Sequence, residues 1–558
     1  MRAWRSALPA IAALLLAVVM TWPLASNIGS LGRTGVGPNA DPHFGTNGDG
    51  MFCLWNVAWV ARTIVADPAT LFQANIFHPH LNALAFSEAN IVAGVVGAPV
   101  WWATKNPYAT LNVVILLAFA SAWFFMWKLV RYLTGDSIVA ATAASFFAFC
   151  PYVFAHTAHI QLMITGGIPL AMLLMHQLAD RPTAPRGAAL GVALMVQALA
   201  CAYYGIFAAL MVGFAVLFFT VSRSLLVNRA WWGAIMLAAF VSIAGVAPFL
   251  LPYYELRQEQ GFARSLDDSI RYSANLSSYL ASSAYAHRWL VQWIADWPRW
   301  TEVMFPGLLP IVFGAAGLVL AVTPRGSKAM PREREIVLLY GSLGILALWS
   351  SFGPAAGLYT LLYDTLPVFS FLRAPTRIAI VVVLCLGVIA ALGMRRLVVV
   401  MGSRGRLAAL AVSVAALAEL ATRMPWERAV VVPDGYSVVR NLRKGPMAEF
   451  PFYGGRSAWH LHTQYMLFST THWLPMMNGY SDHTPQQFRQ DALVLDGFPS
   501  HDSFAVLQKA RVRYIAIHWD MFGPRAEEIR TRLQPFSEHL RPLATDERMS
   551  VFEIVSFP

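Results

Sequence analysis

Long apolar runs alternate with short polar loops along most of the chain, at about 7–25, 109–130, 137–155, 162–179, 187–203, 204–221, 231–253, 303–322, 336–352, 377–394 and 406–422. Each approaches the roughly 20 residues that a helix needs to cross about 30 Å of hydrocarbon, so the pattern predicts an all-α polytopic membrane protein of about eleven spans. Runs 187–203 and 204–221 are nearly continuous. Ala202-Tyr203-Tyr204-Gly205 divides them, because aromatics and a glycine suit an interfacial turn. A shorter run, 90–103, holds Pro99 and ends in Trp101 and Trp102. Its length and its aromatics predict an interfacial or re-entrant segment rather than a span.

The loops test this count. With the N-terminus inside, the cytoplasmic loops carry Lys128 and Arg131; Arg181 and Arg186; Arg223 and Arg229; Arg325, Lys328, Arg332 and Arg334; and Arg395, Arg396, Arg404 and Arg406. That is the positive-inside pattern, and a single miscounted span would scramble it. Residues 1–25 read as an uncleaved first span rather than a signal peptide, since Thr21-Trp22-Pro23 is a poor cleavage site.

Three pieces are left on the external side: a large first loop at 26–108, a loop at 254–302, and everything after about 423. The first loop carries an amphipathic helix near 51–66 with Phe52, Trp55 and Trp59 on one face. In the tail, Val512-Arg513-Tyr514-Ile515-Ala516-Ile517 alternates like a strand and 525–540 reads as a charged helix. The chain therefore divides into a transmembrane domain, 1–422, and a small C-terminal α/β extracytoplasmic domain, 423–558.

Composition agrees with lipid as the solvent. Of the 558 residues 57% are hydrophobic and 13% charged, against about 25% charged in a soluble domain. Mean hydropathy is +0.52. The net charge of +11 sits in short loops between spans and accompanies no nucleic-acid motif, so nucleic acid is not a partner. The four cysteines form no CxxC pair, which leaves neither a zinc site nor a disulfide framework. A P-loop, HExxH, GxSxG and DxD are all absent. Without DxD, a sugar donor held through a nucleotide and a metal is not indicated.

Several groups could carry chemistry. In the first loop stand Asp41, Asp49 within Gly48-Asp49-Gly50, Asn75-Ile76-Phe77-His78-Pro79-His80, and Glu88. Carboxylates and imidazoles at a membrane surface can act as general bases; Asp41 and Asp49 can equally be solvated turn residues. Arg373 and Arg377, in Phe371-Leu372-Arg373-Ala374-Pro375-Thr376-Arg377, lie at the outer end of a span. They can clamp a lipid phosphate or serve as snorkelling anchors. A helix beginning near Pro375 would also turn free N–H groups toward the external face. His156 and His159 are spaced to hold a metal on one helical face, or to anchor at the interface. Glu419 lies near the end of the last span, where a carboxylate is either functional or interfacial.

An N-terminal span, a long acidic external loop with a His-Pro element, a short interfacial helix and then many closely spaced spans resemble the GT-C superfamily of integral membrane glycosyltransferases. The segment from His78 to Gly135, ending in Arg131-Tyr132-Leu133-Thr134-Gly135, resembles that superfamily's juxtamembrane helix and second span. In the tail, Glu449-Phe450-Pro451 and Asn478-Gly479-Tyr480-Ser481 resemble a bacterial branch of it. The resemblance implies a polyprenyl-phosphate-linked sugar donor, a glycan or lipid acceptor, and transfer at the outer face of a bacterial inner membrane. It puts the catalytic carboxylate on Asp49 first and Asp41 second. From the residues themselves, His78, Glu88, Arg373, Arg377, His156 and His159 are the candidate substrate-binding groups. The superfamily often shows a tandem acidic pair in this loop or a second acidic residue in a later one; no tandem pair stands here. No cofactor is firmly implied, and a divalent metal is left open. Two rivals are a non-enzymatic transporter or flippase for a lipid-linked glycan, and an envelope-assembly scaffold. A transporter would show charge along its spans, and these spans carry almost none.

Overall fold

A computed structural model of the chain describes residues 2–33, 48–260, 264–322 and 332–558. Among the described residues, six helices are long and apolar enough to cross a membrane: Pro107–Thr134, Ser137–Ala155, Ile160–Asp180, Ala202–Ser222, Arg229–Glu259 and Pro375–Val400. Shorter apolar helices occupy Ala7–Met20, Ile91–Thr104, Ala184–Ala200 and Leu308–Val319. The two remaining apolar runs fall on Arg332–Ser351 and Gly405–Leu420. Each expected span thus lies on a helix, and the 90–103 run forms its own short one. The division near 202 falls at Cys201, between two helices.

Local sequence explains the boundaries. The Pro107–Thr134 helix starts with Asn106 accepting from the Ala109 N–H and with proline in its first turn, and stops at Gly135 in the left-handed region. Asp136 then accepts from the Ile138 and Val139 amides to start the next helix, so two residues reverse the chain.

Alternate loops gather at opposite ends of the bundle. Arg223 pairs with Asp180 at 2.6 Å and with Glu335 at 2.8 Å, Arg332 with Asp180 at 3.6 Å, and Arg395 with Glu333 at 3.2 Å. The basic loops read from the sequence therefore share one end. Glu419 lies at the other. It accepts from His287 at 3.0 Å and from the Leu308 and Leu309 amides, so it caps the Leu308–Val322 helix. Capping gives this buried carboxylate the hydrogen bonds that its desolvation demands.

At the Glu419 end the chain's last part folds on the first loop. Strands β1 (Leu31–Gly32) and β2 (Glu427–Arg428) pair antiparallel. Four more strands, β3 (Met447–Phe450), β4 (Tyr514–His518), β5 (Leu540–Thr545) and β6 (Met549–Ile554), form one sheet in the order β3-β4-β6-β5. The strand expected at 512–517 is β4. Only β3 and β4 run parallel, and β4 is buried along its whole length, as a central strand flanked on both edges should be. The charged helix expected at 525–540 is Ala526–Leu533 followed by a 3-10 turn.

Two first-loop features differ from the sequence reading or lie beyond it. The Asp49–Ala66 helix does not lie amphipathically on the membrane: Met51, Leu54, Val57 and Val60 are buried as fully as Trp55 and Trp59. It is covered by the Ile91–Thr104 helix on one side and by tail residues on the other, where Trp59 meets Trp473 and Phe52 meets Tyr480. A helix enclosed by protein has no solvent face for an apolar/polar division to mark. Asp41 lies outside the described residues.

Candidate active site

Asp49 is the first residue of the Asp49–Ala66 helix, and the glycine before it sets the entry. Gly48 has φ of 87°, and a Cβ there would come within 2.9 Å of the His460 carbonyl oxygen, so only glycine is free of strain. A carboxylate in a first helical turn also faces the positive end of the helix dipole.

Two side chains from distant parts of the chain hold that carboxylate. His159 Nε2 lies 3.0 Å from Oδ2, and the Tyr480 hydroxyl donates to Oδ1 at 2.9 Å. Burial pushes the Asp49 carboxyl up, but the His159 and Tyr480 contacts and the charge of Arg373 outweigh it and hold the group below its usual value. Asp49 is thus a carboxylate at neutral pH. Its side chain keeps 33% exposure, enough for a substrate hydroxyl to reach it.

The arginines separate into two layers. Arg373 pairs with Asp482 at 2.7 Å, and Arg264 contacts the other Asp482 oxygen. The Arg373 backbone N–H donates to the Tyr203 hydroxyl at 2.8 Å, which anchors the segment before the span. Beneath it, the Arg377 guanidinium stacks 4.3 Å from the centre of the Tyr203 ring. Glu88 accepts from the Ala202 amide, at the start of a helix. Burial pushes the Glu88 carboxyl above its usual value, while the Ala202 N–H and the Arg377 charge act against that rise. The helix start at Pro375 offers fewer free amides than expected: the Thr376 N–H donates to the Tyr272 carbonyl and the Arg377 N–H to that of Ala374.

Sequence reasoning missed a second carboxylate. His156 Nε2 lies 3.0 Å from Glu302, and the His156 and His159 rings are 6.1 Å apart. The two histidines therefore take separate carboxylates. Asp49 and Glu302 stand at either end of a two-imidazole bridge, with Glu302 contributed by the later loop. Burial raises the Glu302 carboxyl, but the adjacent imidazole, its hydrogen bond and the Val303 amide bring it below its usual value. Among the described residues no group of three or more His, Cys, Asp or Glu is placed to hold a metal ion. Both Asp49 oxygens already have protein partners.

His78 stands apart from this cluster. Its Nε2 is 3.0 Å from the Ala510 carbonyl oxygen, and its backbone N–H donates to Met476 at 2.8 Å. The 75–78 segment runs beside 476–478, with Met476 N–H bonded to the Asn75 carbonyl and Phe77 N–H to that of Asn478. That docking delivers Tyr480 and Asp482 to Asp49 and Arg373. The one advance signal was Asn478-Gly479-Tyr480-Ser481, a segment notable by resemblance alone.

Gly479 makes the docking testable. A Cβ there would meet three Phe77 ring atoms at 2.8 Å. Phe77 is fully buried and packed against Phe86 and Phe488, so it has no room to yield. Gly479→Ala should cost about 1–3 kcal/mol by overpacking and lower activity further by shifting Tyr480 off Asp49. Thermal unfolding and turnover of the purified variant measure the two effects.

No protein-family model matches the chain, and no curated protein matches it. Solved structures do. The chain superimposes over 100% of its length on arabinofuranosyltransferase AftD from Mycobacteria, with a TM-score of 0.59 and 13% identity. It spans only 40% of that protein's length. Looser overlaps are with the Archaeoglobus fulgidus oligosaccharyltransferase, TM-score 0.46 at 13% identity over 93% of this chain and 69% of that one, and with ArnT from Cupriavidus metallidurans, TM-score 0.39 at 14% identity over 99% and 98%. Those two are too loose to carry an argument. The bundle of apolar helices and the whole-length match give this multi-pass membrane chain the same fold as AftD, in keeping with its resemblance to the GT-C architecture.

Proposed function

We propose that this protein is a glycosyltransferase of the bacterial inner membrane, with its N-terminus in the cytoplasm and the Asp49 end outside. It takes a sugar from a polyprenyl-phosphate donor and passes it to a hydroxyl of a glycan or lipid acceptor. The acceptor oxygen attacks the anomeric carbon, the bond from that carbon to the phosphate oxygen breaks, and polyprenyl phosphate leaves. Asp49 takes the hydroxyl proton. Arg373 neutralises charge on the departing phosphate, with Arg377 beneath it, and fixed charge of this kind lowers the barrier most where water is excluded. Glu302, His156 and His159 orient the acceptor side.

The observation that carries the reading is the joining of Asp49 and Arg373 by one tail segment: Tyr480 bonds the carboxylate and Asp482 the guanidinium. A base and a phosphate ligand belong on one surface in a transferase. The rival reading, a lipid carrier, would put such groups along the spans.

One observation favours a variant in which His159 takes the proton and Asp49 orients it. While His159 Nε2 faces Asp49, its Nδ1 is buried with no hydrogen-bond partner, and a carboxylate-oriented imidazole is a familiar proton acceptor. The pH profile of kcat/KM separates the two. A base whose folded pKa is depressed loses its active form only as pH falls through that value. With Asp49 as acceptor the acid limb lies below the ordinary aspartate value of 3.8. An acid limb well above that value would contradict Asp49 as the acceptor.

A further inference from the structure

A cleft of about 590 Å³ opens between the end of the first loop and the tail, away from Asp49. Arg62, which lines it, is thirteen residues along the helix that Asp49 begins. At 1.5 Å per residue that is about 20 Å, so this is a separate place. Arg62, Lys105 and Arg440 supply its positive charge, and Trp101, Trp102 and Trp473 supply apolar surface. Among the described residues no carboxylate lines it.

The three cations come from three segments: a buried helix, the link between Ile91–Thr104 and Pro107–Thr134, and the tail. Simple anchors would project separately into the interface; these converge. None of them forms an ion pair among the described residues, and their neighbours are aromatic. The Arg62 guanidinium is 5.3 Å from the Trp473 ring centre, and the Lys105 ammonium 3.5 Å from that of Trp102. Burial pulls the Arg62 guanidinium below its usual value. Trp101 is 2% exposed, and its indole N–H has no hydrogen-bond partner. A buried donor left unpaired costs free energy that a ligand acceptor would recover.

The cleft lies at the start of the apolar Pro107–Thr134 helix, and the start of a span is where headgroups and interfacial tryptophans gather. A guanidinium fork and an ammonium match phosphate oxygens, and indole rings suit a group half apolar and half wet. We propose that this cleft binds the phosphate headgroup of an anionic phospholipid. The proposal does not depend on sugar transfer.

Native mass spectrometry of the detergent-purified full chain tests it, with phosphatidylglycerol and phosphatidylcholine of matched acyl chains and with glycerol 3-phosphate as soluble competitor. Wild type should bind phosphatidylglycerol at least about tenfold more tightly than phosphatidylcholine. Replacing Arg62, Lys105 and Arg440 by Gln should abolish the preference. Replacing Arg229 and Arg406 by Gln, at the opposite end of the bundle, should leave it intact. Arg440→Gln alone, at an exposed side chain, should lower the preference several-fold, which serves if the triple variant fails to fold. Wild type without a preference, or an Arg440→Gln and triple variant that keep it in full, overturns the proposal. Displacement by glycerol 3-phosphate at concentrations equal to the lipid would make this a free-phosphate site and overturn it equally.

Discussion

Asp49→Asn is expected to lower sugar transfer by about 10²–10⁴-fold, the usual contribution of a positioned general base, and to leave the fold intact. The amide has nearly the carboxylate's shape. Its oxygen can still accept from Tyr480, which bonds Oδ1 at 2.9 Å. The charge, the proton affinity and the Oδ2 acceptor facing His159 are lost. The helix that Asp49 opens is held by Gly48 and by burial of Trp55 and Trp59, none of which the substitution touches. The variant should therefore elute and melt like the wild type while turnover collapses. Near-normal turnover would reject Asp49 as the base and move the role to His159 or Asp41.

The second large effect separates the two arginines. Arg373 keeps 30% side-chain exposure beside Asp49, whereas Arg377 is stacked on Tyr203 near the half-buried Glu88. A hydrogen bond to a charged group is worth about 1.5–3 kcal/mol, so Arg373→Ala should weaken binding of polyprenyl phosphate by about 10–100-fold. Arg373→Lys should fall between the two, because an ammonium keeps the charge but not the bidentate fork. Neither should unfold the protein, since Arg264 still contacts Asp482. Arg377→Ala should act on donor binding and on stability together. It removes the cation–π contact with Tyr203, worth about 0.5–2 kcal/mol, and a positive charge near Glu88. Binding of a labelled carrier, read beside a thermal melt of each variant, measures both. Wild-type affinity in Arg373→Ala and Arg377→Ala would reduce the arginines to interfacial anchors.

The spans were legible because lipid imposes a length and a hydropathy that a window along the chain detects. Loop charge then gave their parity, and the ion pairs linking Asp180, Arg223, Arg332 and Glu335 place the basic loops together at one end. Asp49 can be singled out as a candidate from the sequence, as a carboxylate between two glycines beside the first span. Its surroundings cannot. Tyr480 and Asp482 lie more than 400 positions away and reach it only because 75–78 pairs with 476–478, a backbone contact without a side-chain pattern. Glu302 carries no sequence pattern that ties it to His156, 146 positions away, and only the fold brings the two together. The helix at 51–66 misled for a related reason: periodicity reports a face turned to solvent, and here the tail covers that face.

The central claim is that this chain moves a sugar off a polyprenyl-phosphate carrier, and the direct measurement is release of polyprenyl phosphate from a panel of labelled donors by the purified protein in proteoliposomes. At least one donor should give carrier release and a labelled acceptor with the wild type, and Asp49→Asn should give about a hundredth of that or less. Equal release by wild type and Asp49→Asn across the whole panel, with the donors bound, would contradict the account.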